Sequence, residues 1–266
     1  MTPDLIETFH EGIATLTINR PQSRNSLTTE ILNSLSEAVP RLANDPAVRL
    51  VILTGAGGAF CAGGDVKGFV NKEPGAANSL PFEQNVNRLR ASMEVSRWLH
   101  EMPKPTLAVI SGPAAGAGLS LALACDMRIA ADDAKLTTAF SKIGLSGDFG
   151  GSYFLNHLVG PAKAREMYFT GEVVLGAQAA RMGLVNRSVP SDQLAQAAHA
   201  WAVELAALPT LALGYMKRNL NAGLRGSLSD VLDLEAIHMI RTFETEDHKA
   251  AAIAFVEKKR PQFSGN

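Results

Sequence analysis

The sequence predicts an α/β fold followed by a helical C-terminal part. Three observations carry that expectation. Residues 106–110 are a β-branched apolar run. They lead through a small-residue turn holding Gly112, Gly116 and Gly118 into the apolar stretch 119–125, which reads as buried strand, turn and buried helix. Residues 48–54 form a second apolar run that enters the glycine-rich stretch 55–66. From Ser191 onwards the apolar residues recur at helical spacing. The change near residue 192 divides the chain into a mixed core, 1–192, and a helical part, 193–266. A strand, glycine turn and helix in that order aim backbone N–H groups at one point. Such a point suits an anion or an oxygen that becomes negative during a reaction. The alternative is that Gly116 and Gly118 only allow a helix to pack closely on a strand.

In chain order, 5–10 and 13–19 alternate apolar and polar residues across Glu11-Gly12, a β-hairpin signal. Thr28 or Thr29 caps a helix whose apolar face is Ile31, Leu32, Leu35, Val39 and Leu42. Asp45-Pro46 ends it before the strand at 48–54. The run GAGGAFCAGGDV lacks the Gly-Lys-Ser/Thr ending of a phosphate loop and the spacing of a dinucleotide fingerprint. It reads as a second set of backbone donors around 62–65. Residues 71–80 are polar, with Pro and Gly, and predict a mobile segment. Phe82, Val86, Leu89 and Met93 mark the apolar face of a helix running to Leu99, which Pro103 and Pro105 stop. Beyond residue 151, helices are predicted at 153–159 and 162–169, separated by Gly160-Pro161. A short helix at 177–182 and a strand at 185–189 follow. The tail predicts helices at 194–208, 211–221, 228–241 and 246–259.

Composition excludes several classes. A net charge of −1 leaves no basic excess for a nucleic-acid surface. No apolar stretch reaches membrane-spanning length, because charges such as Asp126 and Arg128 interrupt the candidates. The first residues lack a basic segment followed by an apolar run, so no signal peptide is expected. Cys61 and Cys125 have no framework spacing and read as reduced thiols of a cytoplasmic protein. The six histidines show no metal-ligand spacing. Asp126 and Arg128 are candidates for a buried pair. His100 reads as an exposed helix end and His157 as structural.

Several runs, in order along nearly the whole chain, resemble the enoyl-CoA hydratase/isomerase (crotonase) superfamily. They are Asn19-Arg20-Pro21 with Arg24-Asn25-Ser26-Leu27, Phe60-Cys61-Ala62-Gly63-Gly64-Asp65, and the run Gly112 to Gly118. Ala124-Cys125-Asp126 with Arg128-Ile129-Ala130, Gly183-Leu184-Val185-Asn186 and the tail Phe255 to Pro261 complete the set. The resemblance implies a spiral of repeated ββα units with a C-terminal helical trimerisation domain, and a homotrimer or dimer of trimers. It implies an acyl-CoA thioester substrate, with coenzyme A part of the substrate and no further cofactor. An enolate would be stabilised by the backbone N–H groups of Gly64 and Ala117. The CoA is expected along Arg24, Ser26, Leu27, Ala62, Asp65, Val66 and Lys67. Phe255 and Lys258 would come from an adjacent subunit. Without the resemblance, Phe255 reads as a core helix residue and Lys258 as a solvated charge.

The sequence departs from the hydratases of that family at the two positions where they carry glutamates, which here are Ser120 and Phe140. Hydration needs one group to activate water and another to deliver a proton. Ser120 reads as a pocket hydroxyl or a small residue on a buried helix, and Phe140 as acyl-pocket lining or core. Asp148 aligns with an aspartate of family isomerases, including those that open rings or shift double bonds in aromatic-acid degradation. In an apolar pocket its pKa would rise, which suits a proton carrier. The competing reading is a helix N-cap. The favoured function is therefore a double-bond isomerase-like reaction with Asp148 as acid/base. A hydratase with a non-standard acid/base set and a non-catalytic CoA-binding subunit are the alternatives. The acyl pocket is expected from 66–93 and 140–153.

Overall fold

The computed structural model describes residues 3–65 and 80–265. Its centre is a six-stranded sheet. β1 (Leu5–His10) and β2 (Ile13–Ile18) form the antiparallel hairpin, in register from Leu5 opposite Ile18 to His10 opposite Ile13. Glu11 and Gly12 both take positive φ, 48° and 80°. That is the turn whose twist matches a two-residue hairpin. β3 (Leu50–Gly55), β4 (Thr106–Ile110), β6 (Met127–Ala131) and β9 (Arg187–Val189) then add in parallel. The central strands are buried along most of their length because a parallel sheet is covered on both faces.

A second sheet of three short strands, β5 (Ala114–Ala115), β7 (Lys135–Thr137) and β8 (Val174–Leu175), stands beside it. Two isolated parallel bridges, Leu27 with Gly64 and Cys61 with Ala114, continue the same layer towards the N-terminus. The chain thus climbs in turns, each with a strand in the large sheet, a short stretch in the small one, and a helix. This is the α/β fold that the sequence predicts, wound in the spiral that the family resemblance implies. The first helix, α1 (Thr29–Asn44), is capped by Thr28, whose hydroxyl accepts from the N–H of Ile31 at 3.3 Å. Ile31, Leu35, Val39 and Leu42 are buried as expected.

Two expectations need correction. The predicted helix beyond residue 82 divides into α2 (Phe82–Ser92) and α3 (Glu94–Glu101). The inward face belongs to α3, through Val95 and Leu99. On α2, Phe82 is 77 % exposed and Val86 and Leu89 nearly half exposed, because no described element covers that side. Asp126 and Arg128 do not pair. The Arg128 guanidinium donates to the carbonyls of Cys125 (2.6 Å) and Leu184 (2.9 Å), where it satisfies the end of a helix. Asp126 instead accepts from Lys217 Nζ at 2.8 Å and from the Thr106 N–H and hydroxyl. The predicted mobile segment 71–80 lies outside the described residues except for Leu80.

After α4 (Ala117–Ala124) comes α5 (Gly151–Thr170), with a kink at Gly160 (φ 77°, ψ 162°) where the sequence predicts a break. α6 (Gly176–Arg181) precedes β9. The tail holds α7 (Leu194–Ala206), α8 (Thr210–Gly223), α9 (Leu228–Phe243) and α10 (Glu246–Val256). α7 lies against β2, β3 and β6 and buries Trp201 and Ala202. Lys217 fastens α8 to the sheet, donating to Leu99 O and Lys104 O as well as Asp126. No single helix among the described residues is long and apolar enough to cross a membrane.

Candidate active site

The two glycine turns meet. Ala115 N–H donates to Cys61 O at 2.9 Å, and the N–H groups of Phe60 and Cys61 both reach Pro113 O at 3.1 Å. Such proximity leaves no room for side chains. A Cβ on Gly118 would stand 2.3 Å from Cys61 O, and one on Gly63 would stand 2.7 Å from Ala115 O. Gly118 therefore serves close packing. Gly116 serves conformation, since its φ of 52° with ψ of −125° is a region open to glycine. It turns the chain so that α4 begins at Ala117, with all of its residues buried.

Neither the Gly64 nor the Ala117 N–H donates a hydrogen bond among the described residues. Both residues line one cavity of about 190 Å³, together with Ala62, Gly116, Phe140 and Asp148. Two free backbone donors, one of them at the positive end of a buried helix, favour an oxygen that gains charge.

Asp148 lines the same cavity, on a turn made by positive-φ residues, Gly147, Phe149 and Gly150. The N-cap of α5 is Gly150, and no side chain caps that helix. The capping alternative for Asp148 is thus not realised. Its Oδ1 is buried and has no hydrogen-bond partner among the described residues. Burial pushes the carboxyl up to about 6, because low polarity disfavours the charged form. A carboxyl poised near neutral pH can both take and return a proton.

Ser120 and Phe140 do not supply a second proton carrier. The Ser120 hydroxyl donates to Gly116 O within α4 at 3.2 Å. Phe140 is buried and stacks on Tyr168, centroids 6.0 Å apart. Cys61 is fully buried with its thiol pushed up to about 12, so it is no nucleophile at neutral pH.

Arg24 lies in a left-handed turn (φ 50°) that leads through Ser26 to Leu27, which bridges to Gly64. Arg24 is exposed and its carbonyl accepts from Ala62 N–H at 2.9 Å. Leu27 N–H donates to Gly63 O at 2.8 Å. The Ser26 hydroxyl accepts from the Arg20 guanidinium at 3.3 Å. Asp65 is half-buried at the end of the turn. Val66 and Lys67 lie outside the described residues. Phe255, 85 % exposed, and Lys258 sit at the end of α10 and do not line the Asp148 cavity.

Sequence reasoning quoted Asn25 only as part of a motif, yet it holds the site's first wall. It accepts from Arg20 N–H and donates to Ala56 O and Ala59 O, each at 2.8 Å. Its φ of 58° is a conformation that asparagine tolerates. Nothing in the helical spacing around Tyr168 points at Asp148.

A larger, mostly apolar cavity of about 510 Å³ opens at the other end of α4, lined by Leu123, Tyr153, Phe154 and Leu220 among others. His100 lines it too and is half-buried, with Nε2 inaccessible, rather than an exposed helix end. His157 is exposed and packs edge-on against Tyr153. This cavity holds neither the free donors nor Asp148, so chemistry and not size picks out the smaller one.

Residues 8–266 match the family model described as enoyl-CoA hydratase/isomerase. The chain is 35% identical to 1,2-epoxyphenylacetyl-CoA isomerase of Escherichia coli (strain K12), over 98% of both chains. It is 33% identical to crotonyl-CoA hydratase of Syntrophomonas wolfei, over 95% of both. The crystal structure of an enoyl-CoA hydratase from Polaromonas sp. JS666 superposes with a TM-score of 0.90 at 32% identity, covering 97% of this chain and 99% of that one. With the spiral fold and the paired glycine turns already described, these matches establish that the chain belongs to the enoyl-CoA hydratase/isomerase family of enzymes acting on acyl-CoA thioesters.

Proposed function

We propose that this enzyme moves a double bond, or a proton-coupled equivalent, within an acyl-CoA, using Asp148 as its single acid/base. The thioester oxygen is held by the N–H groups of Gly64 and Ala117. Asp148 removes a proton from one carbon of the acyl chain. The electron pair enters the thioester system as an enolate, and the proton returns to another carbon. Base and acid are the same group, so the reaction balances without a second carboxyl. One observation carries the reading. Among the described residues lining the cavity with both free donors, Asp148 is the only carboxyl, and burial holds it near neutrality.

The CoA portion is proposed to lie along Arg24, Ser26, Leu27, Ala62 and the chain from Asp65 through Val66 and Lys67. Phe255 and Lys258 would reach it from an adjacent subunit of a trimer or pair of trimers. The strong exposure of Phe255 supports that arrangement. Removing one backbone donor of this kind costs about 2.7–4 kcal/mol of transition-state stabilisation.

Deuterium exchange at the α- and γ-carbons of crotonyl-CoA and a 3-enoyl-CoA in D₂O tests the proposal. The parent should exchange, and Asp148→Asn should exchange about 10²–10⁴-fold more slowly. Equal exchange by Asp148→Asn refutes Asp148 as the base. Hydrated product in excess of shifted alkene favours a hydratase with Asp148 as its only acid/base. Tight CoA binding without exchange on any thioester favours a non-catalytic CoA-binding subunit.

A further inference from the structure

The phenol of Tyr168 packs against the turn that carries Asp148. A Cβ on Gly147 would stand 3.4 Å from its hydroxyl, and one on Gly151 would stand 2.6 Å from it. The hydroxyl therefore lies against the backbone on both sides of Asp148. Ser120 Oγ converges on the same place, 2.4 Å from a Gly151 Cβ. Tyr168 Oη and Asp148 Oδ1 are both buried, and neither has a hydrogen-bond partner among the described residues. One is a donor and the other an acceptor. Leaving both unsatisfied in one small region is costly. A single water satisfies such a set when two to four polar groups surround it.

We infer that Tyr168 is a positioning residue for Asp148, its O–H donating through one bridging water to the carboxylate that receives the substrate proton. The inference rests on the proposed role of Asp148. Stacking on Phe140 fixes the Tyr168 ring, so the donor is pre-oriented. The phenol is itself pushed up to about 12 by burial and by Asp148, so it keeps its proton wherever Asp148 works. A donor to the charged form favours that form. It thus offsets part of the burial that raises Asp148 and limits how far its titration climbs. Among the described residues lining the cavity, the other titratable side chain is Lys142, whose stem runs along Gly171. Its influence is electrostatic and weakens with salt, whereas that of the phenol does not.

The test is Tyr168→Phe, which retains the ring. The acid limb of the kcat/KM profile should move up by about 0.5–1 pH unit. KM should change by less than about twofold, and the shift should persist at high salt. The carboxyl-carbon NMR titration of Asp148, assigned by its loss in Asp148→Asn, should move equally. That readout needs no turnover, so it decides the Tyr168 pairing even if Asp148→Asn proves fully active and the proposed function falls. Uniform incorporation of 3-fluorotyrosine, a stronger donor, should move the Asp148 midpoint down in an otherwise unaltered fold. An Asp148 midpoint unchanged in both Tyr168→Phe and the fluorotyrosine protein overturns the inference.

Discussion

Asp148 should weaken the fold at the pH where it works, and Asp148→Asn should reveal this. The carboxyl titrates at about 6 in the folded chain against 3.8 for an unperturbed side chain. At about 1.4 kcal/mol per tenfold change in proton affinity, that displacement corresponds to about 3 kcal/mol. Asp148 is only half-buried, and solvent access reduces the figure to about 1–2 kcal/mol. The sign follows from proton counting. Between about 6 and 3.8 the folded state binds the extra proton, so stability rises as pH falls through that window and the penalty stands in full above it. Asparagine has the same shape and no charge. Asp148→Asn should therefore melt about 3–6 °C higher than the parent near pH 7.5, at matched protein concentration, while losing activity. Near pH 4 the two should converge to within about 1 °C. Melting followed by circular dichroism or calorimetry at the two pH values measures both differences. An Asp148→Asn protein no more stable than the parent at the higher pH, or one equally stabilised at both, would refute the argument from burial.

Other outcomes follow from the same geometry. Ala117→Pro removes a backbone donor at the first position of a helix, where proline is tolerated. Turnover at saturating substrate should fall about 10²–10³-fold with helical content unchanged, and a fall of less than about threefold would count against Ala117 as a donor. Asn25→Ala removes a buried side chain and its three hydrogen bonds, one of them fully buried, from the wall beside Gly64. It should cost about 2–4 kcal/mol in urea unfolding, and a cost under about 0.5 kcal/mol would show that water takes over those bonds.

The sequence was most legible where local chemistry and tertiary demand agree. The hairpin at Glu11-Gly12, the Thr28 cap, the Gly160-Pro161 break and the four tail helices each rest on residues within a few positions of one another. So do the two glycine turns, whose strand–turn–helix order needs no long-range information. The small sheet was not legible. β5 and β8 have two residues each, and Leu27 and Gly64 pair through a single bridge, so period-two alternation has nothing to act on. The exposed face of α2 shows the reverse failure, in which a clean helical pattern does not say what covers it. The partners of Asp126 were hidden for a third reason. Lys217 lies 91 residues away, and a lysine on an otherwise ordinary helix carries no sign that it will be buried. At the site, the two glycine turns were readable from the residues themselves, and Asp148 only through the family resemblance. Tyr168 was not, because its relation to Asp148 exists only once α5 has turned back along the Asp148 loop.

The division of labour in this cavity bears on how such an enzyme changes its chemistry. The proposed holders of the thioester oxygen are main-chain N–H groups, and a coding substitution alters side chains. Short of proline at 64 or 117, a bulkier residue at the crowded Gly63 or Gly118, or any side chain at the positive φ of Gly116, mutation leaves those donors where they are. The proposed proton carrier Asp148 and the cavity-lining Phe140 are, by contrast, ordinary side chains, open to replacement by carboxylate, hydroxyl or ring. A lineage built this way inherits its way of stabilising charge and revises its reaction residue by residue.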